Sequence, residues 1–352
     1  MKPLRTPPAG QGLSAAPYGG PAKGDAPDRQ PPPPRLRQPA RMGPARLLAP
    51  RREGGFGMTE ILVALAVGLL VTLTASAMLV SAGGNFTQHA AHAQLNDNGR
   101  FALELVGQAL RQGSFVNLET DAWPGGNGEA AVAGLDAASL GHSSAGIGNP
   151  LAGAVNGSDV LALRYAGSGE GGGDGSVLNC AGFAVPRGAA WSIFYVARSD
   201  DGEAELRCKY LSDSSWSSDA IVRGVDSFQV LYGLDTDTPP DGVPNRYLNA
   251  RGIEALDADL VLEGATAAAR EADLRRRTHW KRVASLRLAL LLHGGAEARR
   301  DTEPVVYRLF GPAYAAAGDA GAVIDEARLP ADLRQRTRRL FEASYAVRNA
   351  QR

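Results

Sequence analysis

Hydrophobic positions change their spacing along this chain. From Ile61 to Ala82 they are nearly continuous, mostly Leu, Val and Ala, and no Asp, Glu, Lys or Arg lies between Glu60 and Asp97. About 20 apolar residues of helix cross a bilayer core, and a helix satisfies its own backbone hydrogen bonds, so this run predicts a membrane-spanning helix. Beyond it the spacing becomes helical and one-sided. Leu95, Phe101, Leu103, Leu105, Val106 and Leu110 alternate with Asp97, Arg100, Glu104, Gln108 and Arg111, which predicts an amphipathic continuation. Arg100–Glu104 and Gln108–Gln112 are i,i+4 pairs. Gly83-Gly84 is a candidate kink and Gly113 a natural stop. One long helix should therefore start in the membrane and end near Gln112.

A third spacing, close to two, follows. Asp159–Ala166, Val177–Val185, Trp191–Arg198, Glu205–Leu211 and Ile221–Leu234 read as strands, as do Val283–Leu292, Val305–Phe310 and Leu340–Val347. Trp123–Val155 and Gly167–Gly175 read as loops. A helix followed by many short strands predicts an α+β fold, with the long N-terminal helix packed on an antiparallel sheet domain.

Charge changes the picture at the N-terminus. The 352 residues carry no formal net charge, but residues 1–55 hold ten Lys and Arg against three Asp and Glu, a net of +7. The remainder holds 27 against 34, a net of −7, which argues against nucleic acid as the main partner. Thirteen of the 22 prolines also precede Phe56, including Pro31–Pro34. Such a segment cannot form a core, and a translation start at Met42 would leave a short basic leader. Arg46, Arg51 and Arg52 precede the apolar run and no Lys or Arg follows until Arg100. That asymmetry places the N-terminus in the cytoplasm and the rest outside. A cleaved secretory signal is the alternative, but its apolar part is usually about 7–15 residues with small residues after it. Here the run is longer and Gly54-Gly55 stands before it. In an oxidising compartment the two cysteines, Cys180 and Cys208, favour a disulfide over two buried thiols; the loop it would close is worth roughly 3–4 kcal/mol in the chain-entropy model.

Gly54-Gly55-Phe56-Gly57-Met58-Thr59-Glu60 puts one carboxylate at the mouth of the apolar helix. Dragged to a bilayer centre it would cost about 2.5–3.5 kcal/mol. The pattern Gly-Phe-x-x-x-Glu before an apolar helix resembles the class III leader junction of type IV pilins and pseudopilins. The resemblance implies that prepilin peptidase cuts between Gly55 and Phe56, that Phe56 is N-methylated, and that Glu60 recruits the subunit into a filament by pairing with an N-terminal amine. Gly57-Met58-Thr59 departs from the commoner Thr-Leu-Ile. The implied organisation is a leader over 1–55, a transmembrane assembly helix over 56–82, its amphipathic continuation over 83–113 and a periplasmic β-rich pilin domain over 114–352.

Further segments narrow the resemblance to the minor pilins of the PilW type. They are Asn98–Leu105 with Leu110–Gly113, Gly224–Gly233 with Asp235-Thr236-Asp237, Val283–Leu291, and the ending Val347-Arg348-Asn349. The implied partners are prepilin peptidase, other minor pilins, the major pilin, the inner-membrane assembly platform and membrane lipid. The implied location is the inner membrane, then the pilus. A type II secretion pseudopilin is the alternative, and a membrane-anchored adhesion or sensor module a more distant one.

Asp235, Asp237 and Asp241-Gly242 make an oxygen-rich loop that suits calcium in outline. The spacing departs from the EF-type loop, and Asp and Pro are ordinary turn residues, so a hairpin turn is the expected role and no cofactor is required. His89 and His92 stand at i,i+3 with no third ligand in sequence. The basic run Arg275-Arg276-Arg277, His279-Trp280-Lys281-Arg282 reads as a solvated face. Ser143-Ser144 lacks a nucleophile elbow and no phosphate loop is present, so nothing points to an enzyme.

Overall fold

The computed structural model describes residues 55, 57–113, 129–212, 215–298 and 303–347. The leader residues 1–54, Phe56 and the C-terminal Arg348-Asn349 lie outside them. The chain divides into two compact units, Met1–Val67 and Gly68–Arg352.

Helix α1 spans Met58–Gln112 without interruption at Gly83-Gly84, and Gly113 ends it as expected. The strands are β1 (Val132–Leu135), β2 (Ser139–Leu140), β3 (Pro150–Leu151), β4 (Val160–Gly167), β5 (Gly188–Arg198), β6 (Ala204–Ser212), β7 (Ser215–Arg223), β8 (Val225–Leu234) and β9 (Arg246–Leu248). Two short helices follow, α2 (Ala250–Ala258) and α3 (Ala267–Arg277), then β10 (Val283–Ala298), β11 (Val306–Arg308), α4 (Gly311–Ala315), β12 (Val323–Asp325) and β13 (Arg336–Ala346).

The main pairings are antiparallel and build two sheets, one of order β1-β4-β5-β6-β7 and one of order β13-β10-β8-β9. The largest core cluster joins Leu161, Phe194 and Leu206 of the first sheet to Phe228, Leu288 and Leu290 of the second, and takes in Ala102, Val106 and Leu110 of α1. Strand β8 is buried at all ten positions. Its two faces serve different cores, because Phe228, Val230 and Tyr232 point to the main cluster while Leu231 joins Ala289, Leu291 and Leu309 on the other side. Period-two alternation explains the division.

α1 approaches β13 closely because two positions lack a side chain. A Cβ on Gly99 would stand 2.3 Å from Phe341 Cε2, and one on Gly107 2.5 Å from Tyr345 Cε1. The Tyr345 hydroxyl then donates to the Leu103 carbonyl at 2.7 Å, giving the helix a polar tie as well as a packed face.

The structure differs from the sequence expectations in several places. Val177–Val185 is not a strand; it is a turn with one isolated bridge, Leu178–Ala184. Ile221–Leu234 splits into β7 and β8 at Gly224, whose φ of +78° favours glycine. Within the expected loop Trp123–Val155, the described part carries β1, β2 and β3. Only Val306–Arg308 of Val305–Phe310 is a strand. Helices α2 and α3 were not expected. Each starts at a side-chain cap, Asn249 accepting from Gly252 N–H and Thr266 from Ala269 N–H.

Candidate functional site

At the start of α1, the Glu60 and Ile61 amides donate to the Gly57 carbonyl, and the Glu60 carboxylate accepts from the Gly57 amide at 3.3 Å. Gly57 thus sits at the N-cap and Glu60 three residues on, the reach-back half of a capping box, with its charge at the positive end of the helix dipole. Gly55 is exposed and Phe56 lies outside the described residues. From Met58 to Ala82 every residue of α1 is exposed, and the span is long and apolar enough to cross a membrane. The threonine hydroxyls at 72 and 74 do not interrupt that character, since Thr72 donates to the Gly68 and Leu69 carbonyls and Thr74 to that of Val71.

The cysteines come together. Cys180 and Cys208 form a disulfide with Cα atoms 5.8 Å apart, tying the 177–185 turn to β6. Both are buried in the main core.

Asp235, Asp237 and Asp241 also come together; among the described residues they are the one group of three acids or His whose donor atoms all lie within 4.8 Å of one another. Their oxygens are already in use. Asp235 accepts from the Asp237 amide at 3.0 Å and the Gly242 amide at 2.6 Å, Asp241 from the Val243 amide, and Asp237 from the Asn245 side chain. The Gly242 amide is the main cause holding the Asp235 carboxyl below its usual range. Calcium needs six to eight oxygens; what this hairpin visibly makes is a self-bonded turn.

The basic run is paired at its own surface. Arg275 meets Glu271, Arg276 and Arg277 both meet Asp273, and His279 Nδ1 lies 2.7 Å from Asp257. His89 is exposed, His92 half-buried, and neither joins a described metal-type cluster.

Two charged arrangements escaped sequence reasoning. In the first, Arg338 and Asp226 are fully buried partners, with Arg338 Nε donating to Asp226 Oδ2 at 2.7 Å and Nη1 to Glu326 Oε1 at 2.6 Å. His293 and Glu203 extend this network. A charged residue at an inward position of a strand, as Asp226 is in β8, was the available signal. In the second, Asp136, Asp159 and Asp319 lie near one another. Asp136 accepts from the Ala250 and Arg251 main-chain amides, Asp159 from those of Ala137 and Val230, and Asp319 from the Asn249 side-chain Nδ2 and the Tyr314 hydroxyl. Burial pushes the Asp136 and Asp159 carboxyls up, and repulsion from Asp319 adds to both, with Asp136 adding further to Asp159.

Residues 193–349 match the family model of the type IV pilus-assembly protein W. Over that span, a little under half of the chain, the sequence is similar to the PilW family. No curated protein and no solved structure matches. The PilW region begins inside β5 and runs past β13, so it holds the whole four-stranded sheet, the Asp235 hairpin and the Asp226–Arg338–His293 network. The matched model describes type IV pilus-assembly proteins. The α1 junction, with Gly55 and Glu60, lies outside the PilW match.

Proposed function

We propose that the chain is a minor pilin. It waits in the inner membrane with its N-terminus in the cytoplasm, is cut by prepilin peptidase between Gly55 and Phe56, is methylated on Phe56, and enters a type IV pilus or its initiation complex through α1. The sheet domain stays on the periplasmic side and meets other minor pilins and the major pilin, as in a pilin-like fold. One observation carries this reading: a region similar to PilW shares its chain with a helix whose first stretch, Met58–Ala82, is apolar and wholly exposed and starts two residues after a Gly-Phe junction. The role requires no reaction and no cofactor from this chain, because assembly is burial of one helix against others.

Glu60 has a dual assignment in this reading. Before assembly its carboxylate caps α1; within a filament it pairs with an N-terminal amine and sets axial register, a specificity role a buried charge fills at an energetic cost. Mass spectrometry of the membrane form should find a mature chain beginning with methyl-Phe56, and an intact N-terminus there would sink the proposal. Glu60→Ala should leave processing intact and abolish piliation. Glu60→Gln keeps a capping acceptor without the charge, so rescue by Gln would assign Glu60 to capping alone.

A further inference from the structure

The outer face of the five-stranded sheet carries a cleft of about 620 Å³, a volume that suits a small-molecule ligand. Tyr195 of β5 and Arg207 of β6 lie deepest in it. The β2–β3 segment walls it with Leu140, His142 and Leu151, and the β5–β6 turn brings Arg198 and Asp200 to its rim. None of these residues has a part in the assembly role proposed above.

Ser218 of β7, 2% exposed, is the hub beneath the cleft. Its Oγ lies 2.9 Å from Tyr195 Oη, 2.9 Å from His142 Nδ1 and 3.1 Å from Arg207 Nε. The Arg207 N–H takes one lone pair, so Oγ keeps one proton and one lone pair for two neighbours. If Ser218 donates to His142, Tyr195 donates to Ser218 and the ring carries its proton on Nε2. If Ser218 donates to Tyr195, His142 donates to Ser218 and the phenol proton is left over. In both arrangements one donor stays unspent at the cleft.

Arg207 is fixed by the same hub. Its Nε and Nη2 donate to Ser218 Oγ and to the Ser218 carbonyl, the latter at 2.8 Å, and Nη1 pairs with Glu205. A guanidinium has five N–H groups, so one on each terminal nitrogen is still unused among the described residues. Held in place in this way, it is prepared for an oxyanion, the group that guanidinium N–H groups bind best. Arg198 donates once, from Nη1 to the Gly202 carbonyl at 2.9 Å, and has no carboxylate partner among the described residues.

Donors therefore outnumber acceptors on the lining. Arg198, Arg207 and the spare proton of the His142–Tyr195 pair face one carboxylate, Asp200. The Ser139 and Ser199 hydroxyls are spent on the Val196 and Glu203 carbonyls. A complementary ligand offers an oxyanion to the guanidiniums, a hydroxyl to Asp200 and a carbon skeleton to Leu140 and Leu151. We propose that the cleft binds a sugar acid, with its carboxylate on Arg207 and Arg198 and a ring hydroxyl on Asp200.

The full chain in detergent would be titrated calorimetrically with D-galacturonate. D-galactose, which lacks the carboxylate, and inorganic sulfate, which lacks the hydroxylated skeleton, would be titrated alongside. Galacturonate should saturate one site and bind about tenfold or more tightly than either. Arg198→Gln, at an exposed rim position, should weaken galacturonate about tenfold and leave the unfolding midpoint unchanged. Arg207→Gln should abolish binding, and Arg198→Gln serves alone if that variant does not fold. No saturable binding of galacturonate, or equal affinity in Arg198→Gln, would overturn the proposal. So would galactose binding equally well, which takes the carboxylate out of recognition, or sulfate binding equally well, which leaves a simple anion site.

Discussion

Between Met58 and Ala82 not one residue of α1 is buried, whereas all ten residues of β8 are. Both segments are mostly hydrophobic, but they are completed differently. Strand β8 is finished within the chain. Because both its faces are covered, it carries Asp226, Ser227 and Gln229 only by giving each a partner: Arg338, the Gly321 carbonyl and the Gly157 carbonyl. The apolar part of α1 has no cover among the described residues. Its free energy of burial, about 25 cal/mol for each Å² removed from water, remains to be gained elsewhere, in the proposed setting from lipid and then from other helices. The carboxylates differ in the same way: Asp226 is fixed by an internal guanidinium, while Glu60 is exposed and makes only a 3.3 Å bond to its own first turn. One segment is completed within the fold, and the other leaves its apolar surface uncovered among the described residues.

The largest test strikes the finished side. Arg338→Met should leave Asp226 and Glu326 buried with their guanidinium gone, at a cost of about 3–5 kcal/mol. For a domain of this size that is on the order of 10 °C in unfolding midpoint. Tryptophan fluorescence reads it cleanly, because the four tryptophans, at 123, 191, 216 and 280, all lie outside α1. A midpoint unchanged within 2 °C would remove the network from the account of stability.

A matched pair of leucines makes the next test. Leu290→Ala, in the main core, should cost about 2–5 kcal/mol through lost transfer energy and a cavity. Leu70→Ala, on the exposed part of α1, should change the same fluorescence transition by less than about 0.5 kcal/mol. Comparable losses at both sites would mean that the apolar half of α1 is already packed, and the contrast drawn above would fail.

How far the sequence revealed this depended on whether the signal was local. The apolar run, the amphipathic stripe ending at Gly113 and most strands of the PilW region follow from spacing within a few residues, and the structure has them. Pairings across the chain were less accessible. Cys180–Cys208 could be anticipated because no other cysteine exists, whereas Asp226, His293 and Arg338 come from three different strands, and nothing in their spacing joins them. The turn at 177–185 has the β-rich composition of a strand, but its Gly182 takes a φ of +84° and the disulfide fixes it to β6. Helices α2 and α3 escaped because short helices rely on caps, and Asn249 and Thr266 look like ordinary turn residues until Gly252 and Ala269 are placed against them.

The smallest expected effect lies on the outer face of the five-stranded sheet, a surface neither closed like β8 nor bare like the start of α1. There Lys209 of β6 is fully buried with no carboxylate on its ammonium group. Nζ donates at 2.8 Å to the Gly141 carbonyl and at 2.8 Å to Ser144 Oγ, and it stands 5.7 Å from the centre of the Trp216 ring. Burial without a counter-charge lowers its pKa to about 8, while an unfolded lysine stays protonated to about 10.4. Between those values the unfolded chain binds more protons than the folded one, so this group makes stability rise with pH across that window. Lys281, also lowered by burial, acts in the same direction, so the contribution of Lys209 is read as a difference. Lys209→Met keeps the stem over Trp216 and removes the titration. Its unfolding midpoint should gain about 2 °C less than the wild type between pH 7.5 and 9.5. Identical slopes would mean that the amine keeps its proton in the fold through the two oxygen contacts alone, and that the hairpin carrying Gly141 and Ser144 is held by a permanent cation.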